Sequence, residues 1–139
     1  YAQYAAIKEN YEGKAWYELP EEIKYYQQAS ITGLEEKMEF YKFTQFLFHK
    51  QWDELKNYAE TKNIKLIGDM PIYISYDSAD VWSQPELFQL NEDLTKQNVA
   101  GVPPDFFAED GQLWGFPLYD WENHEKTNFQ WWKNRYDHL

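Results

Sequence analysis

The chain has 139 residues, with 13 Lys plus Arg against 24 Asp plus Glu, a formal net charge of −11 and a sequence pI near 4.6. That balance opposes phosphate backbones and anionic lipid surfaces, so neither nucleic acid nor a membrane is expected as a partner. Cysteine is absent, which excludes disulfides, thiolate metal sites and cysteine nucleophiles and fits a reducing cytoplasm, the expected location.

The start, "YAQYAAIKENYEG", has neither the basic opening nor the long apolar middle of a signal peptide, so a soluble protein or a soluble piece of one is expected. The length suits one domain of about 100 to 200 residues, but an eightfold β/α barrel needs roughly 250, so such a fold would be present only in part. Aromatic residues make up 20% of the chain (7 Trp, 12 Tyr, 9 Phe), enough to fill a core or to offer flat faces to a ligand such as a sugar.

In chain order, the first helical piece is expected to end at Gly13 as a left-handed cap. In "PEEIKYYQQA", Pro20 opens a second, with acids suited to the positive end of the helix dipole. Thr32 with Glu35 has capping-box spacing, and Phe40, Phe43, Leu47, Trp52, Leu55 and Ala59 follow one helical face, which predicts a long helix over 34–62 stopped at Asn63. "IKLIGDMPIYI" then reads as a strand from about 65, disturbed by Pro71 because proline donates no ladder hydrogen bond. Helix, stop and buried strand make half of a βαβ unit, and Asp69 stands where a parallel sheet presents its chemistry, at the carboxyl end of a strand.

Residues 75–123 hold only short helical hints, too long a connection for an ordinary loop and therefore read as a functional insertion. In "TNFQWWKNRYDHL", Thr127 and Gln130 repeat the capping-box spacing and Phe129, Trp132 and Tyr136 share a face, which predicts a last helix.

Within the insertion, "GVPPDFFAEDGQLWGFPLYDW" carries six aromatic residues, three prolines and three glycines with neither helical nor strand periodicity. Two readings stand side by side. Phe107 and Trp114 present ring faces to a substrate while Asp105 and Gln112 supply hydrogen bonds, or the rings close inward as a local cluster. For Asp69 the pair is a carboxylate aimed at a site or an acid binding turn amides before Pro71. Asp77, Asp80, Asp93 and Glu109 read as caps, turn formers or solvated charges. His49, His124 and His138 stand alone, which favours surface or packing roles over metal binding. The sequence offers no support for a serine nucleophile or a phosphate-binding glycine loop.

"GDMPIYI" followed by "DSADVW", and "GVPPDFF" followed by "GQLWG-P", resemble the 4-α-glucanotransferases of glycoside hydrolase family 77, and "GKAWYELPEEIKYY" and "FYKFTQFLFHKQWDELKNYAETKNI" are similar to the segment before them. The resemblance covers nearly the whole chain. It implies an α/β fold class: a fragment of a (β/α)8 barrel, mostly helical, with one central barrel strand and a long loop insertion. The expected division is a helical insertion over 1–33, a long helix over 34–62, a barrel strand over 65–74, a substrate-covering insertion over 75–123 with a lid loop at 101–117, and a helix over 124–139.

The implied activity is transfer of part of a 1,4-α-glucan to the 4-hydroxyl of another by a retaining mechanism, with no metal and no organic cofactor. The implied substrate-binding residues are Asp69, Pro104, Asp105, Phe107, Gln112 and Trp114, with Asp69 supporting catalytic acids that lie elsewhere. The sequence departs from the family pattern at Phe106, Ala108 and Phe116, where the family often has tyrosine, serine and asparagine. The family's nucleophile belongs to an Arg-x-Asp-His-type motif beyond a helix like "TNFQWWKNRYDHL", and its acid/base comes later. Neither is present, so this segment is expected to be inactive alone, to bind maltooligosaccharides, and to self-associate through exposed barrel surfaces. The competing reading is a non-enzymatic carbohydrate-binding or interaction module, and a weaker one is a hydrolase of the same clan.

Overall fold

Backbone turns that demand left-handed residues set the limits of the N-terminal helices. The computed structural model describes the chain except residues 27, 28, 30, 31 and 139. Helix α1 (Ala2–Asn10) ends before Glu12 and Gly13, whose φ values are 55° and 80°, and the Gly13 N–H donates to the Lys8 carbonyl at 2.8 Å. Helix α2 (Glu21–Lys24) begins from Pro20; its expected continuation through Gln27 and Gln28 lies outside the described residues. Helix α3 (Glu35–Thr61) starts from Leu34 with no side-chain cap bond, so the predicted Thr32–Glu35 box is not its N-terminus, and it stops before Asn63 at φ 55°.

The apolar face read along α3 is not a core face. Phe40, Phe43 and Leu55 are 60%, 57% and 52% exposed, and Ala59 alone of the helix is buried. The helix rests on α1 through a polar seam: the Tyr41 hydroxyl donates to Glu9 at 3.0 Å, and Lys37 pairs with the same carboxylate at 2.7 Å. Helical periodicity in a sequence reports which face is apolar, and whether anything covers that face is a tertiary matter.

The stretch 65–74, expected as a barrel strand, carries no strand pairing in this chain among the described residues. It runs as irregular chain with a bend at Ile72 and Tyr73 and with Ile67 97% exposed. A strand exists by its neighbours' hydrogen bonds, and apolar residues alone do not supply them.

The core is built instead from both ends of the chain. Ile7, Trp16, Leu19 and Ile23 from the first part pack with Val81, Trp82, Leu87, Phe88, Tyr119 and Trp131 from the second. Asp77 ties the two together: it accepts the Tyr4 hydroxyl at 2.7 Å and the Trp16 N–H at 3.2 Å, and it pairs with the Lys8 ammonium at 2.5 Å. Burial pushes the Asp77 carboxyl up, but these three donors outweigh it and hold the group below its ordinary value. The Trp16 indole N–H donates to the Tyr76 carbonyl at 2.6 Å and the Trp82 indole N–H to the Ile23 carbonyl at 3.1 Å, so large rings enter the core with their polar atoms satisfied.

Helix α4 (Ala79–Ser83) is capped by Ser78, whose hydroxyl accepts from the Val81 N–H. The stretch read as an aperiodic loop is a β-hairpin. Strands β1 (Val99–Val102) and β2 (Gln112–Pro117) pair antiparallel around a tip at 103–111. The pairs are Val102↔Gln112, Gly101↔Leu113 and Val99↔Pro117, so Ala100 faces three residues, Trp114, Gly115 and Phe116. This bulge breaks the alternation of side chains, which is why the period of two is invisible in the sequence.

The predicted single helix over 124–139 is two: α5 (Trp121–Lys126), capped by Asp120 accepting from the Asn123 N–H at 3.0 Å, and α6 (Gln130–Tyr136). Asn128 and Phe129 turn left-handed between them, at φ 52° and 55°. The Thr127 hydroxyl donates back to the His124 carbonyl at 3.0 Å instead of opening a helix, and Trp131 takes the buried position while Tyr136 is 69% exposed.

Candidate functional site

The hairpin tip is closed by an Asx turn and carries two exposed phenylalanines. The Asp105 Oδ1 accepts the N–H groups of Phe107 and Ala108 at 2.9 and 2.8 Å, an Asx turn that closes the tip. Gly111 completes it at φ +72°, where a Cβ would stand 2.6 Å from the Val102 carbonyl oxygen, so no other residue fits without moving the chain. Pro103 and Pro104 restrict the ascending side. Phe106 and Phe107 are held out at 94% and 91% exposure, edge to face with ring centres 5.4 Å apart. In this chain neither ring closes inward onto the hairpin. Asp105 spends one carboxylate oxygen on the turn itself.

Trp114 lies on the bulge, half-exposed, with its indole N–H donating to the Gln112 Oε1 at 2.9 Å. Gln112, read as a hydrogen-bonding group for a ligand, here orients the indole. The Trp114 ring meets Tyr73 at 5.7 Å, and Tyr73 lies near-parallel to both Phe116 (6.2 Å, 9°) and Tyr119 (6.3 Å, 10°). The buried Tyr119 hydroxyl donates to the Ile72 carbonyl at 2.6 Å, and burial pushes its pKa up to about 12, so it remains a neutral donor. Tyr73 and Tyr119 are the site neighbours that sequence reasoning missed; the available signal was their place in the two motifs that also carry Asp69 and Trp114.

Asp69 is exposed and lines an open groove of about 640 Å³ with Asp80, Trp131, Arg135 and His138 among others. Asp80 accepts the Trp131 indole N–H at 3.0 Å, and Arg135 lies over the Trp131 and Trp132 rings while donating to the Pro71 carbonyl at 2.6 Å. No residue of the hairpin lines this groove. The structure thus brings Gln112 and Trp114 together, fixes Asp105 in the tip beside Phe107, and leaves Asp69 on a separate wall whose following segment meets the hairpin through Tyr73.

The remaining acids behave as turn and packing groups: Asp93 accepts the N–H and hydroxyl of Thr95 at 3.0 and 2.6 Å, and Glu109 is exposed. His124 is fully buried within rings of Tyr119, Trp121, Trp131 and Trp132, and its ring centre lies 5.5 to 6.2 Å from theirs. Among the described residues no group of three or more His, Asp or Glu side chains is arranged to hold a metal ion.

The chain belongs to glycoside hydrolase family 77, the 4-alpha-glucanotransferases, whose family pattern matches residues 1–139. It is 51% identical over 142 aligned positions to a 4-alpha-glucanotransferase of Aquifex aeolicus, covering 99% of this chain and 29% of that protein, and 47% identical to one from Clostridium butyricum. A chloroplastic/amyloplastic 4-alpha-glucanotransferase of Solanum tuberosum is 43% identical. Among solved structures, amylomaltase from Streptococcus agalactiae in complex with acarbose superposes with a TM-score of 0.87 at 44% identity, over 96% of this chain and 28% of that one. The chain therefore spans between a quarter and a third of the length of these bacterial relatives.

Proposed function

We propose that this chain is the substrate-covering segment of a 4-α-glucanotransferase, which moves part of a 1,4-α-glucan to a new 4-hydroxyl by a retaining mechanism. The observation that carries the reading is the hairpin: two phenylalanine rings exposed at a tip closed by an Asx turn, and on its second strand a half-exposed tryptophan whose indole N–H is held by Gln112. Exposing such rings is unfavourable unless a ligand covers them, and a sugar ring's C–H face is a ligand of matching shape and character. The relative solved with acarbose supports the same ligand class.

In this reading Phe107 and Trp114 contact sugar faces, Asp105 and Pro104 set the shape of the tip, and Asp69 faces the glucan from the groove wall. Covering the site matters chemically because water competes with the glucan acceptor for the glycosyl intermediate; an apolar cover excludes the one while orienting the other. The retaining chemistry needs two carboxylates in a fixed pair, which the full-length protein supplies and this segment does not. The exposed face of α3 and the unpaired 65–74 run are surfaces for the rest of a barrel, and in the isolated chain they are surfaces for self-association.

The test is tryptophan fluorescence of the chain titrated with maltoheptaose, beside a Trp114→Ala variant. A saturable change that vanishes in the variant is expected; binding that survives the loss of both Trp114 and Phe107 would overturn the assignment of the tip.

A further inference from the structure

We infer that Tyr73 and Lys96 are positioning residues that lock the bulge of β2 and so fix the aim of Trp114 relative to the segment carrying Asp69. The inference rests on the reading of the hairpin as a substrate cover and adds what holds that cover in place.

The bulge puts three residues of β2 opposite Ala100, and the middle one, Gly115, has φ +75°. No atom lies within 4 Å of where its Cβ would be, so the demand for glycine there is one of backbone conformation and not of space. A bulge turns a side chain away from the strand's regular alternation, and here the turned residues are Trp114 and Phe116, on either side of Gly115. Left to itself, a two-stranded ribbon is marginally stable in water and its bulge is free to relax.

Two contacts from outside the hairpin prevent this. The Tyr73 ring meets Trp114 on one side of Gly115 and lies parallel to Phe116 on the other, while Phe116 is followed three residues later by Tyr119, parallel to the same ring. One side chain four positions beyond Asp69 thus gathers three rings of the hairpin and its exit. The Lys96 ammonium donates to the Gly115 carbonyl at 3.0 Å and stands 4.8 Å above the Tyr76 ring. Tyr76 is fixed in turn: its hydroxyl donates to the Leu94 carbonyl, and its ring stacks on Tyr17 at 4.6 Å. The left-handed residue of the bulge is therefore tethered by its carbonyl to the 73–77 segment, and the rings beside it are tethered by Tyr73.

Aromatic pairs and a cation over a ring are each modest interactions, yet a displacement of about 1 Å in a positioning contact is enough to change rates by up to about a hundredfold. The effect falls on how well the site is closed and aimed, and the reacting groups themselves are untouched.

The test uses the full-length transferase containing this segment, with the fraction of cleaved donor going to hydrolysis and to transfer measured together with KM for the donor. Tyr73→Ala is expected to raise the hydrolysed fraction and KM by about three- to tenfold, whereas Tyr73→Phe, which keeps the ring, restores both. Lys96→Met gives the same direction through the independent tether, and it decides the matter if Tyr73→Ala fails to fold. A general loss of stability lowers activity without changing the partition between water and acceptor. An unchanged partition in both Tyr73→Ala and Lys96→Met, with Trp114→Ala altering it, overturns the positioning role alone. If Trp114→Ala and Phe107→Ala also leave the partition and KM unchanged, the reading of the hairpin as a cover fails with it.

Discussion

Asp77 offers the sharpest energetic test of how the two halves of the chain are joined. Asn at this position keeps the shape of the side chain and removes its charge. The carboxylate pairs with Lys8 at 2.5 Å, the two side chains being 31% and 20% exposed, and it also accepts from the Tyr4 hydroxyl and the Trp16 N–H. Hydrogen bonds to charged groups contribute about 1.5–3 kcal/mol when buried and exposed ion pairs about 0.2–1, so this partly buried pair falls near 1–2 kcal/mol. The amide oxygen keeps the other two donors in weaker neutral form, which adds about 0.5–1 kcal/mol to the loss. Asp77→Asn is thus expected to lower unfolding free energy by about 2 kcal/mol at pH 7, read by urea denaturation followed through tryptophan fluorescence.

The pH dependence carries the sign. The folded carboxyl sits below its ordinary value, since burial raises it but Lys8, Tyr4 and the Trp16 N–H lower it by more. Its contribution is therefore complete above the unfolded value of about 3.9 and is lost as pH falls through the folded one, so the gap between wild type and variant closes in acid. A gap below about 0.5 kcal/mol at pH 7, or one that persists undiminished at about pH 2, would refute the reasoning. A double-mutant cycle with Lys8→Met isolates the pairwise term.

Three further outcomes are expected. The isolated chain does not disproportionate maltotriose, and any chain redistribution by the purified segment on thin-layer chromatography would contradict the assignment of the catalytic carboxylates to the rest of the protein. His124 is fully buried; burial lowers its pKa despite the Leu87 backbone and the Asp120 carboxylate nearby, so stability declines as pH falls below about 6.5, and His124→Leu removes that slope in thermal melts between about pH 7.5 and 5. Light scattering finds the isolated chain associated, because Phe40, Phe43, Phe46 and Phe48 of α3 and Ile67 stand more than half exposed; a clean monomer at all concentrations would count against that.

Local chemistry was legible in the sequence wherever a residue's own backbone preference decides the outcome. Asn63 ends α3 and the glycines turn the chain at 13 and 111 because left-handed φ is a local demand, and the long helix is visible from spacing alone. The ordered motifs around Asp69 and Trp114 were also enough to read the family, since their specificity lies in residue order. What the sequence could not decide is what lies beside what. The run at 65–74 has the composition of a strand but, among the described residues, no strand partner, and Phe40, Phe43 and Leu55 of the apolar stripe of α3 stand exposed. The hairpin escaped notice because its bulge destroys the alternation by which strands are recognised, and the last helix divides because Asn128 and Phe129 adopt a conformation that nothing in their own side chains requires. Tertiary packing drew Tyr73 against rings more than forty residues away. Pairing, coverage and orientation depend on distant neighbours, and only the folded chain supplies them.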